Sequence, residues 1–479
     1  MAQAPDQGPS PQYSSLVSVR IDARRRDRDR ASGDPGGIGV QSFLEPEQPT
    51  ILRWWPLAAL VVGLATVLSV FTGYSEPQTA AASPNPTQQS RILQSVTTLQ
   101  GRLHRMPNDS LGWAQLGSAY VELARITADP SYYAKAQGVL DKSLALKPED
   151  NGPAMLGLGA LANARHDFGA AKEWGLKALA AQPRSAEVFG VLADAYTQLG
   201  DEGGAMDAVQ NMLDVKPNVA SFTRASYFFE THGRIDDARM ALDRALAAAG
   251  APDEIAFCRY YLGELAFNSG DLAEADRQFT AGLRVVLDQT LQQGQAKVAA
   301  AQGNIERALG AYKNLVMRTP LPQYIVEYGE LLDAAGRQEE AAAQFEILAQ
   351  QQKLMEVQGA TDDLATSLML ADHGDKAEAL RRAEAEWGRR HNVLVADALA
   401  WALHVNGRDA EALPYMDKAM ALGWNNALFA YHRGMIHLAL GQSADAEKYL
   451  AQALATNPHF SVLHAPIAHK RLAELRSGR

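Results

Sequence analysis

Eleven histidines and a single cysteine are the chain's strongest ligands and nucleophiles, and their spacing decides what they can do. His432 and His437 fall five apart, as do His459, His464 and His469. Five residues is close to a turn and a half of helix, so successive members point to different faces and do not converge as metal ligands must. No metal site is expected. Cys258, beside Phe257, reads as core packing, and one cysteine allows no internal disulfide and says nothing of redox compartment. The chain has no GxGxxG, no GxxxxGK[ST], no HExxH and no GxSxG. Gly36–Val40 (GGIGV) lacks the Lys-Ser/Thr and helix pattern that a phosphate loop requires. The expectation is no catalytic residues, no cofactor, and an enzyme only if one were assembled from the groove of some larger architecture.

That architecture has to be helical. The 479 residues are 47% hydrophobic but only 7% aromatic, so the core is built from Ala and Leu, which favour helix over strand. The length exceeds one compact core and suits an elongated array. A net charge of −10 argues against nucleic-acid binding.

Residues 1–50, rich in Pro, Gly, Gln, Ser and Asp, read as a disordered tail. Arg20, Arg24, Arg25, Arg26, Arg28 and Arg30, partly offset by Asp22, Asp27 and Asp29, read as a solvated cluster that sets topology, an anionic contact being the alternative. Trp54–Phe71 is eighteen residues without a charge, long enough to cross roughly 27 Å of hydrocarbon. Trp54, Trp55 and Tyr74 suit the two interfaces, and Pro56 falls in the first turn. A transmembrane helix over 51–74 is therefore expected. Arg53 and the upstream arginines precede it, which puts the N-terminus in the cytoplasm and the remainder outside it. Ala80-Ala81-Ala82 offers a signal-peptidase site as the rival reading, but the long leader favours an uncleaved anchor. A Pro/Ser/Ala-rich linker follows over 75–89.

From residue 90 to 479 a repeat governs everything. Ala430–Pro458 shows it most clearly: a helix with Gly434 at a close approach, a stop at Leu440-Gly441, a second helix opened by Ala446, and a stop at Pro458. The second-helix alanines recur at Ala136, Ala171, Ala205, Ala238, Ala275, Ala308, Ala341, Ala379, Ala412 and Ala446, in steps of 35, 34, 33, 37, 33, 33, 38, 33 and 34. Turn glycines recur in the same register at Gly200, Gly233, Gly270, Gly303, Gly336, Gly374, Gly407 and Gly441. Two residue types in one register identify about ten helix-turn-helix units. Ser90–His104 and Ser461–Leu475 are expected to cap the ends.

Trp113…Leu116-Gly117…Tyr120…Ala136…Pro148, Leu192…Tyr196…Ala205…Pro217 and Leu262-Gly263…Gly270…Ala275…Phe279 resemble the tetratricopeptide repeat family, in a membrane-anchored bacterial form. The resemblance covers about four fifths of the chain. It implies an all-α solenoid whose first helices line a concave face and whose units couple mainly to their neighbours. Departures are Ala296 and Ser367, which replace the close-approach glycine in units six and eight, and an insertion between Gln351 and Ala360.

Carried over by register, two groups of first-helix residues fall on the concave face: Tyr227, Glu230, Tyr260, Glu264, Phe267 and Asn268, then Leu364, Leu368, Asp397, Trp401, His404, Tyr431 and Met435. Aromatic anchors there imply a bound peptide; the alternative is packing against neighbouring helices. Lys297 is the only lysine at these positions, so a basic clamp for a C-terminal carboxylate is not expected. The reading is a membrane-anchored scaffold or assembly factor with a protein or peptide partner, attached through residues 54–71, with no nucleic acid and no small-molecule cofactor. The alternative is a transmembrane transducer signalling through the Arg-rich tail.

Overall fold

The computed structural model describes residues 88–127, 129–360 and 362–478. The expected tail, transmembrane helix and most of the linker lie outside these residues. The described chain is all helix, without a strand. A first helix, α1 (Gln88–Arg105), leads into ten antiparallel pairs: α2 (Ser110–Thr127) with α3 (Ser131–Leu146), α4 (Gly152–Ala164) with α5 (Phe168–Ala181), α6 (Ala186–Leu199) with α7 (Glu202–Val215), α8 (Val219–Thr231) with α9 (Ile235–Ala248), and α10 (Pro252–Asn268) with α11 (Leu272–Leu283). Then come α12 (Gln289–Ala301) with α13 (Ile305–Arg318), α14 (Pro322–Ala334) with α15 (Gln338–Val357), α16 (Asp363–His373) with α17 (Lys376–Arg389), α18 (Val393–Val405) with α19 (Asp409–Ala419), and α20 (Ala427–Ala439) with α21 (Ser443–Thr456). A last helix, α22 (His464–Ser477), closes the array.

The local code is explicit. Gly200 takes the left-handed conformation at φ 78°, and the Asp201 N–H returns to the Tyr196 carbonyl at 2.9 Å. That closes α6 in a Schellman arrangement. Asp201 then caps α7 by accepting from the Gly204 N–H. The same glycine-then-carboxylate step recurs at Gly270-Asp271. In the second unit His166, at φ 62°, holds the position that glycine fills elsewhere. All ten repeat alanines are at most 2% exposed. A Cβ on Gly434 would lie 2.8 Å from the Leu450 side chain, so only glycine lets α20 and α21 close. In the eighth unit Ser367 takes that place and donates to the Ala379 carbonyl at 2.8 Å, which satisfies its hydroxyl in the contact. The insertion after Gln351 is a continuation of α15 to twenty residues, and Met355 from it packs against the core of the first two units.

The units do not couple to neighbours alone. The array winds tightly enough for its second half to rest on its first. The Gly200 turn meets the α17–α18 link, where a Cβ would stand 2.8 Å from the His391 carbonyl oxygen. The Gly233 turn meets Gly423 in the α19–α20 link, and the Gly270 turn meets Thr456 and Asn457 at the end of α21. One unit earlier, His166 faces Asp362 at 3.8 Å. Four consecutive turns thus lie on four consecutive links. Side chains fasten the seam: Asn392 donates to the Gln198 carbonyl at 2.8 Å, Arg390 bonds the Gln198 side chain and covers the Phe168 ring at 4.7 Å, and Tyr227 sets its edge on Trp424 at 6.3 Å.

Candidate functional site

The winding encloses a chamber of about 1260 Å³. Helices α10, α12, α14 and α16 supply one side, with the lower turns of α15. The link after α21 and the start of α22 roof it. Apolar side chains, among them Ile305 of α13, Val326 of α14, Leu368 of α16 and Val462 of the link after α21, share the lining with polar ones.

The polar wall follows the repeat. Glu230, Glu264, Lys297 and Glu330 stand 34, 33 and 33 residues apart, one on each successive first helix from α8 to α14. Lys297 bonds Glu264 at 2.7 Å, lies 3.9 Å from Glu327, and sits over the Phe267 ring at 5.2 Å. Burial alone would lower its pKa, but the two carboxylates win and raise it, so it stays charged. Glu327 accepts from Gln293 at 2.6 Å and from Gln323 at 3.1 Å. Among the described residues Glu230 has only Asn268 as a hydrogen-bond partner, at 3.5 Å. Burial, with Glu264 nearby, pushes its carboxyl up to about 7.

Of the first expected group, the structure places Phe267 and Asn268 on the chamber wall. Glu230 and Glu264 belong to the same polar row. Tyr260 is half-buried against Phe279, at 6.1 Å between rings, and burial holds its hydroxyl well above the usual range. Tyr227 packs into the seam on Trp424; burial first, then Glu230, pushes it up to about 12.

The second group is divided. Leu368 lines the chamber, while Leu364 is half-buried outside its lining. His404 and Met435 border a separate depression of about 440 Å³ with Arg471 and Leu475. The expectation that Trp401 and Tyr431 floor an open groove needs correction, because Trp401 is 5% exposed and Tyr431 1%. Trp401 stacks on His432 at 4.1 Å and donates through Nε1 to Asp372 at 2.8 Å. Tyr431 stacks on His464 at 4.9 Å. Asp397 is also buried, holding His432 through Nδ1 at 2.9 Å. The physical reason is α22: the terminal helix covers this aromatic pair and fills the space a peptide would need.

Sequence reasoning missed Asp372, His432 and His464, which meet from α16, α20 and α22. His464 bonds Asp372 through Nε2 at 3.2 Å, and the His432 and His464 rings come within 6.2 Å. Burial works against ionisation of Asp372, but the bonds from His464 and Trp401 prevail and hold its carboxyl below the usual range. Five-residue spacing hides this convergence, since the partners lie on different helices. Glu327 and Glu330 were missed as well, although Glu330 shares the 33-residue register of Lys297.

Residues 294–353 match a tetratricopeptide repeat model, and residues 429–460 match a second one. The first span runs from within α12 into α15; the second covers nearly all of α20 and α21. A tetratricopeptide repeat protein from Parabacteroides merdae is similar at 19% identity over 54% of this chain and 98% of its own, with a TM-score of 0.32. A thermophilic TPR protein from Thermus thermophilus is similar at 23% identity over 40% of this chain and 97% of its own, with a TM-score of 0.34. PilW, a widely conserved type IV pilus biogenesis factor, is similar at 21% identity over 43% and 94%, with a TM-score of 0.34. No curated protein sequence matches the chain. Two tetratricopeptide repeat models fall in register with an array of ten helix pairs, and over those residues the chain carries tetratricopeptide repeats.

Proposed function

We propose that the protein is a scaffold or assembly factor that holds an extended segment of a partner protein inside the chamber, and that residues 51–74 anchor it in a membrane with the repeats on the extracytoplasmic side. Tetratricopeptide repeat proteins generally mediate protein–protein interaction or assembly. The observation that carries the reading is the chamber itself. About 1260 Å³ exceeds the roughly 300–1,000 Å³ of ordinary small-molecule sites. Its lining combines apolar with polar side chains, which an extended chain carrying both kinds can meet. The role is binding rather than catalysis. The anchor rests on the eighteen uncharged residues of Trp54–Phe71 and the arginines before them; no helix among the described residues is long and apolar enough to cross a membrane.

Photo-crosslinking amino acids at Asn268 and at Leu368, on two parts of the wall, test it. Both positions should capture one contiguous stretch of the same protein, and Glu339, exposed on the outside of the array, should not. Capture from Glu339 with none from the two wall positions would move the partner to the outer surface.

A further inference from the structure

We propose that the segment held in the chamber is cationic: an extended stretch of chain whose lysine or arginine side chains lie against Glu330. This rests on the proposed function above and names the chemistry of its occupant.

The charge balance of the wall is one-sided. Glu327, Glu330, Glu356, Asp362 and Asp372 line the chamber, against Lys297 as the one lysine or arginine among the described lining residues. Lys297 offers no free positive charge, because Glu264 and Glu327 already hold it. Glu356 is matched from behind the wall by Arg382, and Asp372 by Trp401 and His464. Asp362 has His166 at 3.8 Å. Among the described residues Glu330 faces only His373, at 3.6 Å, beyond a hydrogen bond.

A second observation points the same way. Behind the lining, the Oε1 atom of Glu264 is buried without a hydrogen-bond partner although its Oε2 holds Lys297. Glu230, next in the row, has its carboxyl pushed up to about 7 by burial and by the nearby Glu264. Buried carboxylate oxygens without partners are costly. A row of acids one repeat apart, with a single lysine between them, leaves negative potential in an enclosed space where it is weakly screened. A cationic side chain entering among Val326, Leu368 and Glu330 would pair that potential while its aliphatic stem covers the apolar wall. An acidic or neutral segment would leave it unpaired.

Fluorescently labelled, unstructured peptides of lysine, alanine and leucine, with matched peptides carrying glutamine in place of lysine, test the inference on the full-length protein. The lysine peptide should bind at least roughly tenfold more tightly than the glutamine peptide, and added salt should weaken it more. Glu330→Gln should weaken it by roughly tenfold, and Glu339→Gln, which removes an exposed exterior charge, should leave it unchanged. Should Glu330→Gln fail to fold, the salt dependence and the position of crosslinks from Leu368 still decide. Equal binding of the glutamine peptide at Leu368 overturns the cation and leaves the chamber reading standing. Equal losses in Glu330→Gln and Glu339→Gln also overturn it, since attraction would then come from net charge. Spermidine binding in place of any peptide overturns it in favour of a free polyamine. Crosslinking of no peptide, whatever its charge, at Leu368 or Asn268 overturns both readings.

Discussion

The side-chain amide of Asn457 donates to the carbonyl of Phe267 at 2.8 Å, across 190 residues of sequence. Phe267 lines the chamber, so one bond ties the roof of the cavity to its wall. Asn392 does the same for Gln198, 194 residues away. Such bonds make the two halves of the array a single cooperative object.

Two glycines with nearly equal backbone torsions separate the seam from the turn. Gly233 has φ 71° and Gly407 φ 73°. A Cβ at Gly233 would press into the Gly423 carbonyl oxygen, while one at Gly407 has nothing within 4 Å. Gly407→Ala should cost about 1–2 kcal/mol, the left-handed strain alone. Gly233→Ala should cost clearly more, and hydrogen exchange should rise around Gly423 as well as in its own unit. Equal denaturation midpoints for the two variants would show that the seam contributes nothing.

Trp401→Ala should destabilise the protein by about 3–5 kcal/mol, as truncation of a buried aromatic does. The ring fills space between α18, α20 and α22, and its loss also removes the donor to Oδ1 of Asp372, leaving His464 alone on that carboxylate. Chemical denaturation measures this. A folded variant of unchanged stability would show that α22 does not cover the ring.

Glu230 gives a pH dependence with a definite sign. Its carboxyl lies near 7 in the folded protein against an ordinary 4.5. The folded state therefore holds a proton over that window that the unfolded chain has released, and the contribution of this group to stability falls as pH rises from about 4.5 to 7. Glu230→Gln should gain on wild type by an amount of order 1–3 kcal/mol at pH values above the window relative to values below it. Urea midpoints on either side of the window read it directly.

Ala238 is fully buried where α8 and α9 meet. Ala238→Leu should cost about 1–3 kcal/mol through overpacking. For a solenoid of purely neighbouring contacts the damage stays in one unit. Here Tyr227 of the same unit leans on Trp424, so faster exchange should also appear in the α19–α20 link.

Topology has its own test. Protease added to spheroplasts should digest residues 90–479 and spare residues 1–50. Protection of the repeats would place the chamber in the cytoplasm.

The pairing of helices was legible because one small residue per unit decides it: ten alanines, each almost without exposure, set the register. The caps were legible too, within a few residues. The winding was not. It depends on which backbone carbonyls meet Gly200, Gly233 and Gly270 from units far along the chain, and glycines in open turns, such as Gly303, look the same in sequence. For the site, three residues that register assigned to a concave face, Phe267, Asn268 and Leu368, lie on the chamber wall. Register failed at Trp401 and Tyr431 because periodicity assigns faces and is silent about what lies over them, and α22 is outside the repeat.

The seam also sets a timetable for synthesis. The partners of Gln198 and Phe267 lie some 190 residues downstream. At 5–20 residues per second, roughly 10–40 s pass between the emergence of one edge and that of the other. During that interval the turns at Gly200, Gly233 and Gly270 stand uncovered and the chamber has no roof. A nascent chain in this state still lacks the residues of α22 and the link before it that line the chamber.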